Sequence, residues 1–165
     1  VILLTVGSQL PFDRLARAMD QWCSVNPGRE VVGQVGDVGP DSYQPACYRW
    51  KPFFPPSELQ QLVEAAELIV AHAGMGSIIT ALTNAKPIVI MPRRASLGEH
   101  RNDHQLATVS RFAGRRGIFV AQDEYGLAQA MEQALAAPQE GAILQPFADR
   151  GFTDALRRYI LGDAI

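Results

Sequence analysis

Apolar residues follow two alternating rhythms along the chain. Short continuous runs such as Ile2-Leu3-Leu4 and Ile88-Val89-Ile90-Met91 sit between stretches where apolar residues return every three or four positions. The first rhythm marks buried strands and the second marks amphipathic helices. Residues 1–6 read as a strand ended by Gly7. A helix follows from about Pro11, carrying Phe12, Leu15, Ala16, Met19, Trp22 and Cys23 on one face until Asn26-Pro27-Gly28 stops it. Further strands are expected at 30–35, 48–54, 68–71, 87–91 and 118–121. Helices are expected at 57–66, 78–84, about 102–114 and about 125–137. Ser57 is read as the N-cap of the helix at 57–66, with Gln60 completing a capping box. Residues 36–45 and 93–100 read as loops, and 72–77 as a tight turn.

Strands alternating with helices require right-handed crossovers, hence an α/β fold: a Rossmann-like open parallel sheet with helices on both faces. Residues 1–137 make up that domain. Residues 138–165 read as a linker and a C-terminal amphipathic helix, with Phe152, Ala155, Leu156, Tyr159 and Ile160 opposite Asp154, Arg157 and Arg158. That helix either packs on its own sheet or docks on a partner.

Composition narrows the function classes. The chain has 165 residues, 47% hydrophobic and 19% charged, with a net charge of −2. This fits one globular domain and gives no basic footprint for nucleic acid. Lys51 and Lys86 are the only lysines, so recognition of phosphate or carboxylate by a forked cation would fall to arginine. Cys23 and Cys47 have neither a disulfide framework nor metal-ligand spacing, which fits a reducing, cytoplasmic setting. The opening apolar run is too short for a signal peptide, and no stretch approaches the roughly 20 apolar residues of a membrane span.

Ligands of open α/β sheets bind at the carboxyl ends of strands, and three such ends carry unusual chemistry. Gly7-Ser8-Gln9 follows the first strand, where a glycine lets main chain approach a phosphate. His72-Ala73-Gly74-Met75-Gly76-Ser77 opens a helix, whose free amides and positive dipole end suit an anion. The spacing there matches neither the dinucleotide fingerprint nor a P-loop. Gly98-Glu99-His100-Arg101-Asn102-Asp103-His104-Gln105 concentrates donors and acceptors suited to sugar hydroxyls. His100 and His104, four apart, could face together as metal ligands, but no third ligand is suitably placed. An ordinary turn or a solvated helix start is the plain structural alternative at each end.

In this order, Leu3-Leu4-Thr5-Val6-Gly7-Ser8-Gln9, Phe12-Asp13-Arg14-Leu15, the His-Ala-Gly-Met-Gly-Ser turn and Asn102-Asp103-His104-Gln105 resemble the C-terminal, donor-binding domain of family 28 glycosyltransferases of the GT-B fold. Within that group the chain resembles PssE-type subunits of exopolysaccharide synthesis. It is also similar to the small catalytic subunit of the eukaryotic two-component UDP-GlcNAc transferase. The resemblance implies that Gly7, Ser8, Gly74, Gly76 and Ser77 hold the diphosphate of a UDP-sugar, with Gln9, His72 and Met75 in the same turns. It implies that Asn102, His104 and Gln105 lie at the donor sugar, and that residues 50–54 border the uracil. Related sequences often carry a glutamate for the ribose hydroxyls where this chain has Thr80, so Glu99 is a candidate substitute.

The resemblance further implies a hexosyltransferase that needs no cofactor beyond its donor and no metal, a preference the absence of any Asp-x-Asp pair shares. The general base and acceptor site would lie on a PssD-type, membrane-anchored partner that brings the enzyme to a lipid-linked glycan acceptor at the inner membrane face. Glucuronic acid is the favoured sugar, with Arg93, Arg94 or Arg101 as partners for its carboxylate. Two other readings stand beside this one: a non-catalytic nucleotide-sugar-binding module, and an NAD-dependent oxidoreductase.

Overall fold

Alternation within the first strand decides the layering. The structure, a computed structural model, describes residues 1–40, 42–137 and 150–161. Among these residues, β1 (Ile2–Thr5), β2 (Val31–Gln34), β3 (Arg49–Lys51), β4 (Leu68–His72), β5 (Ile88–Met91) and β6 (Ile118–Val120) form one sheet. Its order is β3-β2-β1-β4-β5-β6 and every pairing is parallel. The helices α1 (Asp13–Val25), α2 (Pro56–Ala65), α3 (Met75–Thr83), α4 (His104–Phe112) and α5 (Leu127–Ala136) cover it, and α6 (Arg150–Leu161) follows. Strand order reverses between β1 and β4, so the loops after these strands diverge and leave a crevice at their carboxyl ends.

Ile2, Leu4 and Val6 point to one face with Val70, Val89 and Met91, where Leu15, Met19 and Trp22 of α1 and Leu127 and Met131 of α5 pack on them. Leu3, Ile69, Ile88 and Ile90 point to the other, against Val63 of α2, Ile78 and Leu82 of α3 and Val109 of α4. Both faces are therefore dry, which is why the strands read as unbroken apolar runs. Asp20, buried on α1, accepts hydrogen bonds from Tyr43 Oη at 2.6 Å and from the amides of Ala46 and Cys47 at 3.0 and 2.7 Å. That one carboxylate fastens the loop preceding β3.

Helix starts differ from the sequence pattern in two places. The capping box at Ser57 does not form. Pro56 occupies the first turn of α2, no side chain caps the helix, and Gln60 instead reaches Glu64 at 2.8 Å. Proline's fixed φ already suits the first helical turn, which moves the start upstream of Ser57. Helix α3 likewise begins at Met75 with Gly74 as N-cap, three residues before the expected Ile78. Gly76 and Ser77 thus belong to its first turn. A short 3-10 turn, Ala95–Leu97, interrupts the polar loop after β5.

The expected linker, 138–149, lies outside the described residues. Every residue of α6 is exposed, including Leu156 at 46% and Ile160 at 70%, so the helix does not pack on its own sheet. Among the described residues no helix is long and apolar enough to cross a membrane. Replacing Leu156 and Ile160 together by serine should move the thermal midpoint by less than about 2 °C, since surface changes rarely exceed about 0.5 kcal/mol. A drop beyond about 5 °C in a melting scan would show α6 seated on the domain.

Candidate donor-binding site

A cavity of about 440 Å³ opens at the carboxyl ends of β1 and β4, where strand order reverses. Three loops build its wall. The β1–α1 loop supplies Gly7, Ser8, Gln9 and Leu10, the β4–α3 turn supplies His72 and the first turn of α3, and the β5–α4 loop supplies Arg93, His100, His104 and Gln105. The first amides of α3 have no intrahelical acceptors and stand at the positive end of its dipole, an arrangement suited to an anion.

Arg93 joins these loops. It is 3% exposed, and its guanidinium donates to the carbonyls of Val6 (2.8 Å), Leu10 (2.6 Å), Pro11 (2.7 Å) and Glu99 (3.3 Å). Its own amide donates to Gln105 Oε1 at 3.1 Å. Burial lowers the guanidinium to about 10, which still leaves it charged at neutral pH. Three carbonyls of the β1–α1 loop, those of Val6, Leu10 and Pro11, are thereby fixed on Arg93.

His72 lies between two glycines. A Cβ at Gly7, whose φ is +88°, would sit 2.8 Å from His72 Cε1, and one at Gly74 would sit 2.1 Å from His72 Nε2. Both positions need glycine because the ring occupies the space a side chain would use. Gly76 differs: a Cβ there meets nothing within 4 Å. Its surroundings are cavity rather than protein. Burial, reinforced by the charge of Arg93 and by His100 and His104, lowers the His72 imidazole to about 4. His72 Nδ1 and His100 Nδ1 are buried and unpartnered.

All three histidines of the chain line this one cavity. The rings of His100 and His104 meet edge to face with centroids 4.5 Å apart. Among the described residues no Asp or Glu lines the cavity, and no group of three or more His, Cys, Asp or Glu is placed to hold a metal. The wall is thus neutral or cationic, with its fixed charge on Arg93.

Residues 1–146 match the glycosyltransferase family 28 C-terminal domain. The chain belongs to that family. No curated protein sequence matches it. Among solved structures, the glycotransferase of kitacinnamycin superposes with a TM-score of 0.63 at 18% identity, covering 95% of this chain and 42% of that one. Os79 from O. sativa in complex with UDP gives 0.59 at 15% identity, covering 82% and 32%. The solution structure of ALG13 gives 0.59 at 16% identity and covers 94% of each chain. These likenesses establish the Rossmann-like fold of GT-B carboxyl-terminal domains. The chain spans less than half the length of the kitacinnamycin and Os79 enzymes and nearly all of ALG13.

Of the residues singled out from the sequence, this family 28 domain brings Gly7, Ser8, Gln9, His72, Gly74, Met75, Gly76, Ser77, Thr80, His104 and Gln105 into one wall. Asn102 stands outside it, but its Oδ1 accepts from His104 Nδ1, leaving Nε2 as the ring's remaining polar atom. Glu99 does not substitute for a ribose-reading carboxylate. Its oxygens accept from Arg14 at 2.7 and 2.8 Å and from the Arg94 amide at 2.8 Å, and Arg14 also reaches Glu124 at 2.9 Å. Arg93 cannot pair with a sugar carboxylate either, because its donors are spent on carbonyls. Trp50 and Phe54 are not part of the wall: Trp50 Nε1 donates to the Pro45 carbonyl at 2.9 Å and Phe54 is buried. Sequence reasoning missed Gln34, Leu59 and Val63, which do line it. Leu59 and Val63 had the signal of a core stripe, and nothing in periodicity separates a core from a cavity floor.

The dinucleotide-fold alternative loses its main requirement here. In that fold an acidic residue at the end of the second strand reads the ribose. β2 ends in Gln34, whose Oε1 accepts the Phe54 amide at 3.0 Å.

Replacing Arg93 by methionine strands several buried carbonyls and should cost about 3–5 kcal/mol. Lysine, which keeps charge but lacks the fork, should fall between the two. Urea unfolding measures both, and a loss under about 1 kcal/mol for methionine would show that the loops hold without it. A second expectation concerns pH. His72 binds a proton more readily unfolded than folded, so it leaves stability unchanged above about pH 6.5 and lowers it progressively from there towards about pH 4. Between about pH 7.5 and 5 the native chain should lose roughly 2 kcal/mol more than a His72→Gln variant. Parallel urea curves for the two proteins would contradict a neutral, buried His72.

Proposed function

We propose that the chain is the donor-binding catalytic subunit of a UDP-sugar-dependent hexosyltransferase that works without a metal. The observation that carries this reading is the junction of a helix amino end with a cavity free of described carboxylates above a buried arginine. A diphosphate carries negative charge, and that charge rises when the sugar–phosphate bond breaks. Amides held rigidly at the start of α3 stabilise the leaving group without reorganisation, and the fixed charge of Arg93 lies beneath them. A wall without carboxylates among the described residues lacks the anionic oxygen ligands that hold the bridging cation in metal-dependent transferases. The donor class is supported by family membership, by the UDP held in Os79 and by the likeness to ALG13.

The acceptor and general base belong, in this reading, to a second Rossmann-like half on a membrane-associated partner of PssD type, with a lipid-linked glycan or polysaccharide precursor as acceptor at the cytoplasmic membrane face. The kitacinnamycin and Os79 enzymes are more than twice as long as the stretch this chain covers. The exposed α6 offers an apolar stripe for docking, and exposed Leu10, Met75 and Leu97 stand on the loops and helix at the same end of the sheet. His104 and Gln105 address the transferred sugar, with Arg101 as the candidate partner for a glucuronate carboxylate.

Calorimetric titration with UDP tests the donor site. Binding should be unchanged by magnesium or by chelator. Gly76→Val, which fills cavity space without a protein neighbour, should weaken UDP about tenfold or more while leaving the unfolding midpoint in place. Undiminished UDP affinity in that variant would move the diphosphate elsewhere. Sugar transfer that appears only when a candidate partner is added separates a catalytic subunit from a non-catalytic binding module.

A further inference from the structure

We infer that α6 lies in the surface of an anionic lipid bilayer and gives the chain a membrane contact of its own. The inference stands on this helix and does not depend on what the cavity binds. At about 100° per residue, Phe152, Ala155, Leu156, Tyr159 and Ile160 fall on one face of α6. Arg150, Asp154, Arg157 and Arg158 fall on the other. Leu161, the last described residue, is the one large apolar side chain on the polar face. Every residue of the helix is exposed, so the stripe faces water.

The charges select the occupant. Three arginines stand against one aspartate, so α6 is positive in a chain that is net negative. Arg157 and Arg158 flank the stripe on opposite sides. From there a long side chain runs its methylenes along the apolar face and lifts its guanidinium to the headgroups. Asp154 takes the middle of the polar face, farthest from the lipid. A rigid protein groove over the stripe would bury both flanking arginines and need a fixed carboxylate for each. Mobile anionic headgroups meet the two guanidiniums without prescribed geometry, and Tyr159 suits the boundary with an apolar ring and a polar tip. Twelve residues make a helix about 18 Å long, well short of a hydrocarbon core of roughly 30 Å. The helix therefore lies along the surface, and one such element gives reversible, salt-sensitive attachment.

The test is flotation of the full chain with phosphatidylcholine vesicles and with vesicles in which phosphatidylglycerol replaces part of that lipid. The native chain should partition into the anionic vesicles about tenfold or more above the neutral ones, and high salt should release it. Arg157→Gln with Arg158→Gln should lower that partitioning about tenfold or more. Leu156→Ser with Ile160→Ser should abolish it, with the unfolding midpoints of both variants in place. Failure of the native chain to float with anionic vesicles overturns the inference. So does undiminished flotation of the serine variant, which would move the contact to another surface. A native chain that stays off the vesicles and elutes as a dimer, dissolved by the serine changes, gives the stripe to a second copy instead. UDP titration reads the cavity alone, so the donor reading survives any of these failures.

Discussion

The arrangement of the three strand-end loops depends on the buried guanidinium of Arg93. Loops at the carboxyl ends of β1 and β5 come from segments more than eighty residues apart, and no strand pairing joins them directly. Arg93 gathers the carbonyls of Val6, Leu10 and Pro11 and, through its amide, the side chain of Gln105. Hydrogen bonding by a planar cation thus does two jobs at once. It satisfies buried main chain that would otherwise be costly, and it brings a fixed positive charge to a cavity lined by no carboxylate among the described residues. The neighbouring ion pair of Arg14 with Glu99 and Glu124 locks the far side of the same loop without adding an anion to the wall.

Burial and, after it, the charge on Arg93 act on His72. A buried imidazole next to a guanidinium resists protonation, and His72 lies well below its ordinary value for that reason as well as for its burial. Its Nδ1 is buried without a hydrogen-bond partner among the described residues. The glycines on either side follow from the same geometry. Gly7 and Gly74 make room for the ring, whereas Gly76 makes room for whatever occupies the cavity.

Much of this was legible in the sequence. Continuous apolar runs located β1, β4 and β5 because both faces of the sheet are dry there, whereas β3 is the exposed edge strand Arg49–Lys51, and helical periodicity placed Leu15, Met19 and Trp22 in the core of α1. That the glycine-rich turn after β4 opens a helix was legible because glycine spacing and a following helix are local features, and the structure places it on the cavity wall. Side-chain partnerships across long separations were not. Glu99 reads as a sugar or ribose ligand in a polar loop until its bidentate pairing with Arg14, 85 residues away, is known. Arg93 reads as a candidate partner for a sugar carboxylate until its buried hydrogen bonds to Val6, Leu10 and Pro11, more than eighty residues away, are known. Leu59 and Val63 carry the pattern of core residues, and only the folded structure shows that they also line the cavity. The start of α2 was misplaced because Ser57 and Gln60 satisfy a capping rule locally, while Pro56 is better suited to the first turn.

The placement of polar and apolar surface argues that the domain is built for use in a larger assembly. An isolated domain gains nothing from an amphipathic helix with its apolar stripe in water, and α6 exposes Leu156, Tyr159 and Ile160 together. Nor does it gain from exposed Leu10, Met75 and Leu97 beside a polar cavity. A second half seated against these residues would exclude water from the diphosphate, and in a drier cavity the α3 amides and the Arg93 charge act with greater force on the leaving group. In the donor reading proposed above, Arg93 and the glycines shape the donor side from within this chain. The remaining requirement, removal of solvent from above, is one that a single-layered sheet open at its carboxyl edge cannot meet from its own sequence.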